Sequence, residues 1–90
     1  MVVYFVYILK SLKTGHYYVG YTNNMARRMA EHNGGKTPSL RRHIPLEIVK
    51  IEVYSFYGEA RERERQIKKY KSGTAFRRVL GSLPPPSGGV

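Results

Sequence analysis

Residues 2 to 9 read Val-Val-Tyr-Phe-Val-Tyr-Ile-Leu, an apolar and β-branched run without polar alternation. A strand with one wet face alternates, whereas a strand covered on both faces does not. The run therefore predicts a central strand, ended by Lys10. It is far shorter than the roughly 20 apolar residues of a membrane span. It also lacks the basic start and small-residue cleavage site of a signal peptide, so neither is expected. Ser11 to His16 is polar and contains Thr14-Gly15, and His16 to Tyr21 is β-rich again. Two such runs around a short Gly-containing loop predict a hairpin. Gly20 falls inside the second strand, where glycine costs stability. Its place there predicts close approach of another group or a ligand.

The chain continues with Thr22-Asn23-Asn24, all good helix N-capping types. A first helix is predicted to about His32, with Asn33-Gly34-Gly35 as its stop. Met25, Met29 and His32 mark its inward stripe, Arg28 lies beside them, and Arg27 with Glu31 makes an outward pair. Asn33 to Pro45 reads as a basic loop carrying Lys36, Arg41, Arg42 and His43. Leu46 to Tyr57 reads as a third, half-exposed strand, with Val49, Ile51 and Val53 on one side and Lys50 and Glu52 on the other. A second helix is predicted from Gly58 to Tyr70 or Lys71, and a short last one from Ala75 to Leu80. The order ββαβαα predicts an α+β domain over residues 1–81, built on a three-stranded, mostly antiparallel sheet flanked by helices. Residues 82–90, with Pro84-Pro85-Pro86 and Gly88-Gly89, read as a disordered tail.

Charge narrows the partner. Sixteen Lys and Arg against six acidic residues leave a net charge of +10. That excess points to a polyanion, most often nucleic acid. No helix has the wide apolar face needed to lie on lipid, so no membrane partner is expected. The lack of cysteine excludes disulfides and thiolate metal sites and is compatible with a cytoplasmic location.

One side chain stands out of place. The second helix has only Ala60, Ile67 and Tyr70 to define its inward face, and Glu64 falls on that stripe. A carboxylate aimed at the sheet must be paired, hydrogen-bonded or metal-bound. Two readings stand open: a structural ion pair with Arg28, or a functional carboxylate. The acidic residues are all Glu and too few for a two-metal nuclease site. His16, His32 and His43 show no zinc-ligand spacing. No strained nucleophilic Ser and no phosphate-cradling Gly loop occurs, so no small-molecule cofactor is expected. One carboxylate, one arginine, tyrosines and a basic surface remain.

Those residues, in this order, resemble the GIY-YIG endonucleases, most closely their small stand-alone members. Phe5-Val6-Tyr7 stands for the first half of the signature and Tyr18-Val19-Gly20 for the second. Arg28 follows Gly20 by eight residues, His32 comes one turn later, and Glu64 takes the acidic position of the helix at 59–70. The likeness covers about residues 3 to 80. Phe5 replaces the signature glycine, and the Asn that some restriction-type relatives place after the acidic helix has no counterpart in Lys71-Ser72-Gly73-Thr74.

The resemblance implies metal-dependent hydrolysis of DNA phosphodiester bonds, with Tyr7, Tyr18, Arg28, His32 and Glu64 as catalytic residues. Glu64 would hold a single Mg²⁺ or Mn²⁺, an ion suited to oxygen ligands and retained waters. Arg28 would neutralise charge on the phosphate. Tyr7 would orient or deprotonate the attacking water, Tyr18 would assist near the phosphate, and His32 would support Tyr7 or a phosphate. Gly20, Lys36, Arg41, Arg42 and Lys68 are the expected DNA-binding positions. Phosphate contacts carry no sequence information. Low sequence specificity is therefore expected, with branched, nicked or flapped DNA as substrates, in repair, recombination or defence. The competing reading is a non-catalytic nucleic-acid-binding module on the same fold.

Overall fold

The structure is a computed structural model in which residues 2–70 and 73–81 are described. The expected tail at 82–90 and the Lys71-Ser72 pair lie outside the described residues. The strands are β1 (Tyr4–Ser11), β2 (Tyr17–Thr22) and β3 (Leu46–Tyr54); the helices are α1 (Met25–Asn33), α2 (Tyr57–Tyr70) and α3 (Thr74–Leu80). All pairing is antiparallel, in the order β2-β1-β3. The domain is thus α+β, and β1 is central as its unbroken apolar run requires.

Successive side chains of β1 point to opposite faces. Val6 and Ile8 pack against Ala60, Ile67 and Phe76 of α2 and α3. Tyr7 and Leu9 pack on the other face with Leu40 and Leu46, joined by Met25 and Met29 of α1. Val6, Ile8, Leu9 and Ile67 are almost wholly buried. Each contributes about 1.5–3 kcal/mol by leaving water.

Local chemistry sets the ends of α1. The Asn24 side chain accepts from the Arg27 amide at 3.0 Å, a cap worth about 1 kcal/mol. At the other end, Asn33 Nδ2 donates to the Leu46 carbonyl at 3.2 Å. Its Oδ1 accepts from the Leu46 amide at 2.9 Å. The end of α1 is thereby pinned to the start of β3.

One expectation needs correction, and one open question is settled. The basic segment after α1 carries a 3-10 helix at Pro38–His43, with Leu40 and His43 buried. Pro38 supplies a helix-compatible φ at its start, and Leu40 gives the segment its own anchor in the core. On β3, the side facing α2 holds half-buried Lys50, Glu52 and Tyr54, while Ile51 and Val53 are 41% and 59% exposed. The charged side turns inward because Arg63 of α2 grips Glu52, with Nε to Oε1 at 2.8 Å and Nη2 to Oε2 at 3.0 Å. The Tyr54 hydroxyl donates to the same carboxylate at 2.8 Å. These bonds hold the Glu52 carboxyl below its ordinary pKa, Arg63 contributing most and burial opposing.

Candidate active site

Tyr7 is the hub. It sits mid-strand on β1 with Gly20 directly opposite on β2. A Cβ at Gly20 would stand 2.6 Å from Tyr7 Cζ and collide with its hydroxyl. The glycine is therefore there to let the Tyr7 ring lie flat across the neighbouring strand. From α1, His32 Nε2 meets the Tyr7 hydroxyl at 3.2 Å, and His32 Nδ1 meets Thr37 Oγ1 at 2.9 Å. Burial pushes the His32 pKa down, helped by Arg28 and opposed by Glu31. The imidazole is thus neutral at neutral pH. Burial also raises the Tyr7 pKa; Arg28 opposes this, and Glu64 and Glu31 reinforce it. Tyr7 is a neutral phenol in the resting protein. The Arg28 charge does not outweigh desolvation here.

Arg28 reaches the same region from α1, with its side chain 37% exposed and Nη1 3.5 Å from Glu31 Oε1. Its Nε is buried and has no hydrogen-bond partner among the described residues. A buried donor left unpaired is costly, and an anionic oxygen would satisfy it.

Glu64 approaches from α2, whose Ala60 and Ile67 pack on the opposite face of the sheet. Its side chain is only 16% exposed, on the inward stripe as expected, and Oε2 lies 3.1 Å from Lys68 Nζ. The proposed Arg28–Glu64 ion pair is not formed: the two side chains pair with Glu31 and Lys68 instead. The Tyr21 pKa is raised chiefly by its hydrogen bond to Tyr57 and less by the Glu64 charge; for Tyr7, burial raises it most and Glu64 adds to that. Among the described residues no group of three His or acidic side chains could cage a metal. A caged or two-metal centre therefore does not fit. A single hard ion bound by one carboxylate and retained waters does.

Tyr18 packs against the cluster of Tyr7, Leu9, Leu40 and Leu46. Its ring lies 5.2 Å from that of His43, and it shares a groove of about 330 Å³ with Lys68, Ile67 and Phe76. Burial raises its pKa, and Arg42 opposes. The neighbourhood is set by Ser11. Its hydroxyl donates to the His43 carbonyl at 2.7 Å and accepts from the Thr14 amide at 2.9 Å, tying the hairpin turn to the 3-10 helix. Thr14 Oγ1 also meets His43 Nδ1 at 2.9 Å. Lys36, Arg41 and Arg42 are exposed, and Arg41 Nε donates to the Gly35 carbonyl at 2.6 Å. Of the expected DNA-binding positions, Lys68 pairs with Glu64 and Gly20 lies opposite Tyr7, while Lys36, Arg41 and Arg42 are exposed on the segment after α1. Sequence reasoning missed Thr37 and His43. Thr37 meets His32 five residues back across the turn after α1, His43 meets Thr14 29 residues away, and no local pattern marks either.

Comparison with known proteins shows the family and the fold. The family model described as the GIY-YIG catalytic domain matches residues 3–75. A UPF0213 protein of Staphylococcus haemolyticus is 38% identical over 71 residues, 78% of this chain and 85% of the relative. One from Natronomonas pharaonis is 38% identical over 66 residues, 72% of this chain and 76% of the relative. The solution NMR structure of a UPF0213 protein from Bacillus halodurans superposes with a TM-score of 0.53 at 28% identity, covering 93% of this chain and 87% of that one. Among the described residues no helix is long and apolar enough to cross a membrane. On the family-model match and these relatives, the chain belongs to the GIY-YIG family, a nuclease superfamily.

Proposed function

We propose that this domain is a divalent-metal-dependent endonuclease that hydrolyses DNA phosphodiester bonds with little sequence preference. The observation that carries the reading is the buried, unpartnered Arg28 Nε in the electrostatic neighbourhood of Tyr7, a hydroxyl on which Glu64 also acts. An arginine so placed is an anion receptor, and a phosphodiester is the anion that a +10 protein meets most readily. Glu64 would hold one Mg²⁺ or Mn²⁺. That ion supplies Lewis-acid polarisation of the phosphate and stabilises the departing 3′ oxygen. Lys68 gives up its hold on Glu64 Oε2 and turns to the backbone of the incoming strand. In the His32 tautomer protonated at Nδ1, Thr37 Oγ1 accepts from Nδ1–H and Nε2 accepts from the Tyr7 hydroxyl. Tyr7 can then take a proton from the attacking water while passing its own to His32, with no phenolate formed in advance. Arg28 offsets the negative charge that grows on the phosphate. Tyr18, beside Lys68, contacts the strand next to the reacting phosphate.

The test is incubation of pure protein with end-labelled plain, flapped and four-way DNA in Mg²⁺, Mn²⁺ or EDTA. Metal-dependent nicking supports the enzyme. Salt-sensitive binding without nicking on any substrate selects the non-catalytic module.

Two expected results concern binding alone. Affinity for duplex DNA falls with salt, with a log–log slope of about −0.9 for each phosphate neutralised. A flat response between low and physiological salt would remove the electrostatic basis of the reading. Arg41→Ala/Arg42→Ala reduces that slope by about 2, while the melting temperature barely moves, because exposed charges contribute little to stability. An unchanged slope excludes the 3-10 segment from the interface.

A further inference from the structure

Beside Arg28 lies an aromatic cluster that the hydrolytic reading does not use. Tyr57, the first residue of α2, meets the Tyr4 ring edge-on at 5.8 Å and the Tyr21 ring edge-on at 5.7 Å. Its hydroxyl lies 3.2 Å from that of Tyr21. Tyr57 remains 48% exposed, and the preceding residue, Phe56, is 68% exposed. Two large aromatics next to each other in the chain are thus open at the surface.

Tyr57 is also the wall shared by two clefts. One, of about 220 Å³, is lined by Tyr4, Tyr21, Thr22, Arg27 and Arg28. The other, of about 310 Å³, runs along α2 past Gly58, Arg61 and Arg65. Its single acidic side chain, Glu62, is neutralised by Arg65 at 3.0 Å. Arginines therefore flank one aromatic ring on both sides, and one of them is the arginine of the candidate active site. Aromatic faces between phosphate-binding cations are how proteins hold unpaired nucleotides. A paired base inside a duplex offers no free face, and a peptide partner gives no reason for arginines on both flanks.

We propose that Tyr57, backed by Tyr4 and Tyr21, is a stacking platform for an unpaired nucleobase of a strand whose backbone runs from Arg61 to Arg28. The inference rests on the reading that the scissile strand passes Arg28, and it names the substrate class: DNA with unpaired nucleotides next to the cut. The T-shaped contacts hold the Tyr57 ring upright, so little side-chain freedom is lost when a base lands on it. Arg27 and Arg61 position the backbone, while Tyr57 distinguishes a strand with exposed bases from one without.

The experiment measures binding in EDTA, so cleavage plays no part. Fluorescence anisotropy compares a labelled single strand with the same strand carrying abasic sites, each made in DNA and in RNA of equal length, and a DNA duplex. Wild type should bind the base-bearing single strand about tenfold tighter than the abasic one. Tyr57→Ala should erase that difference while leaving abasic-strand and duplex affinities unchanged, and Tyr57→Phe should restore it. Tyr57→Leu keeps bulk against Tyr4 and Tyr21 but has no π face, and should behave as Tyr57→Ala; this variant guards against a loss of fold. Discrimination on DNA but not RNA assigns the platform to DNA, and discrimination on both assigns it to unpaired bases of either sugar. Retained discrimination in Tyr57→Leu overturns the proposal, as does equal loss on the single strand, abasic strand and duplex. Base discrimination without nicking on any substrate overturns only the enzyme reading, and nicking without base discrimination overturns only the platform.

Discussion

Glu64→Gln is expected to yield a folded protein that binds DNA at least as tightly as wild type and has lost nearly all nicking. Glutamine keeps the shape and the hydrogen-bonding atoms but not the anionic ligand a hard cation requires. Stability separates this from a structural role. A buried ion pair broken on one side costs about 3–5 kcal/mol. The pair actually present joins Glu64 to a Lys68 that is 57% exposed, one helical turn on. Such a pair contributes about 0.3–0.5 kcal/mol. Thermal melting of Glu64→Gln should therefore fall within a few degrees of wild type. Arg28→Ala should abolish nicking as well. Glu62→Gln, which disturbs only an exposed pair with Arg65, should be near neutral. A folded Glu64→Gln protein that nicks at the wild-type rate would remove Glu64 from the site.

Much of this arrangement was legible in the chain itself, and for local reasons. Unbroken apolarity from Val2 to Leu9 requires cover on both faces, and β1 is covered on both. The Asn24 cap and the Asn33-Gly34 stop bound α1 because each end needs partners for its free amides and carbonyls. Helical spacing alone put Glu64 between Ala60 and Ile67. What failed was knowledge of partners. Alternation in β3 reveals two faces but not which of them a helix will cover. Arg63, eleven residues after Glu52, decided it by drawing the charged face inward. Spacing likewise placed Arg28 and Glu64 near the sheet without saying that nearer, sequence-local charges would claim each of them. Thr37 was not found because its value lies in a side-chain contact across the turn after α1, with His32 Nδ1, that no spacing rule marks.

Gly20→Ala is expected to damage both fold and site, against the general sign of such a change. The Gly20 φ does not lie in the left-handed region. On backbone grounds alone, alanine would then stabilise by about 0.4–1 kcal/mol through the unfolded chain. The new methyl, however, would stand 2.6 Å from Tyr7 Cζ. Tyr7 is 5% exposed and packed with Leu9, Leu40 and Leu46, so the ring has nowhere near to go. Overpacking of this kind costs about 1–3 kcal/mol. A net loss of about 1–2 kcal/mol should lower the melting temperature by roughly 5–15 °C in a domain of this size. Nicking should fall further than stability does, because the displaced hydroxyl loses His32 Nε2 even where the chain stays folded. A double-mutant cycle isolates the cause. Once Tyr7→Ala has removed the ring, Gly20→Ala should cost little or even stabilise. If Gly20→Ala destabilises equally with and without the Tyr7 ring, the glycine is required by something other than the tyrosine lying over it.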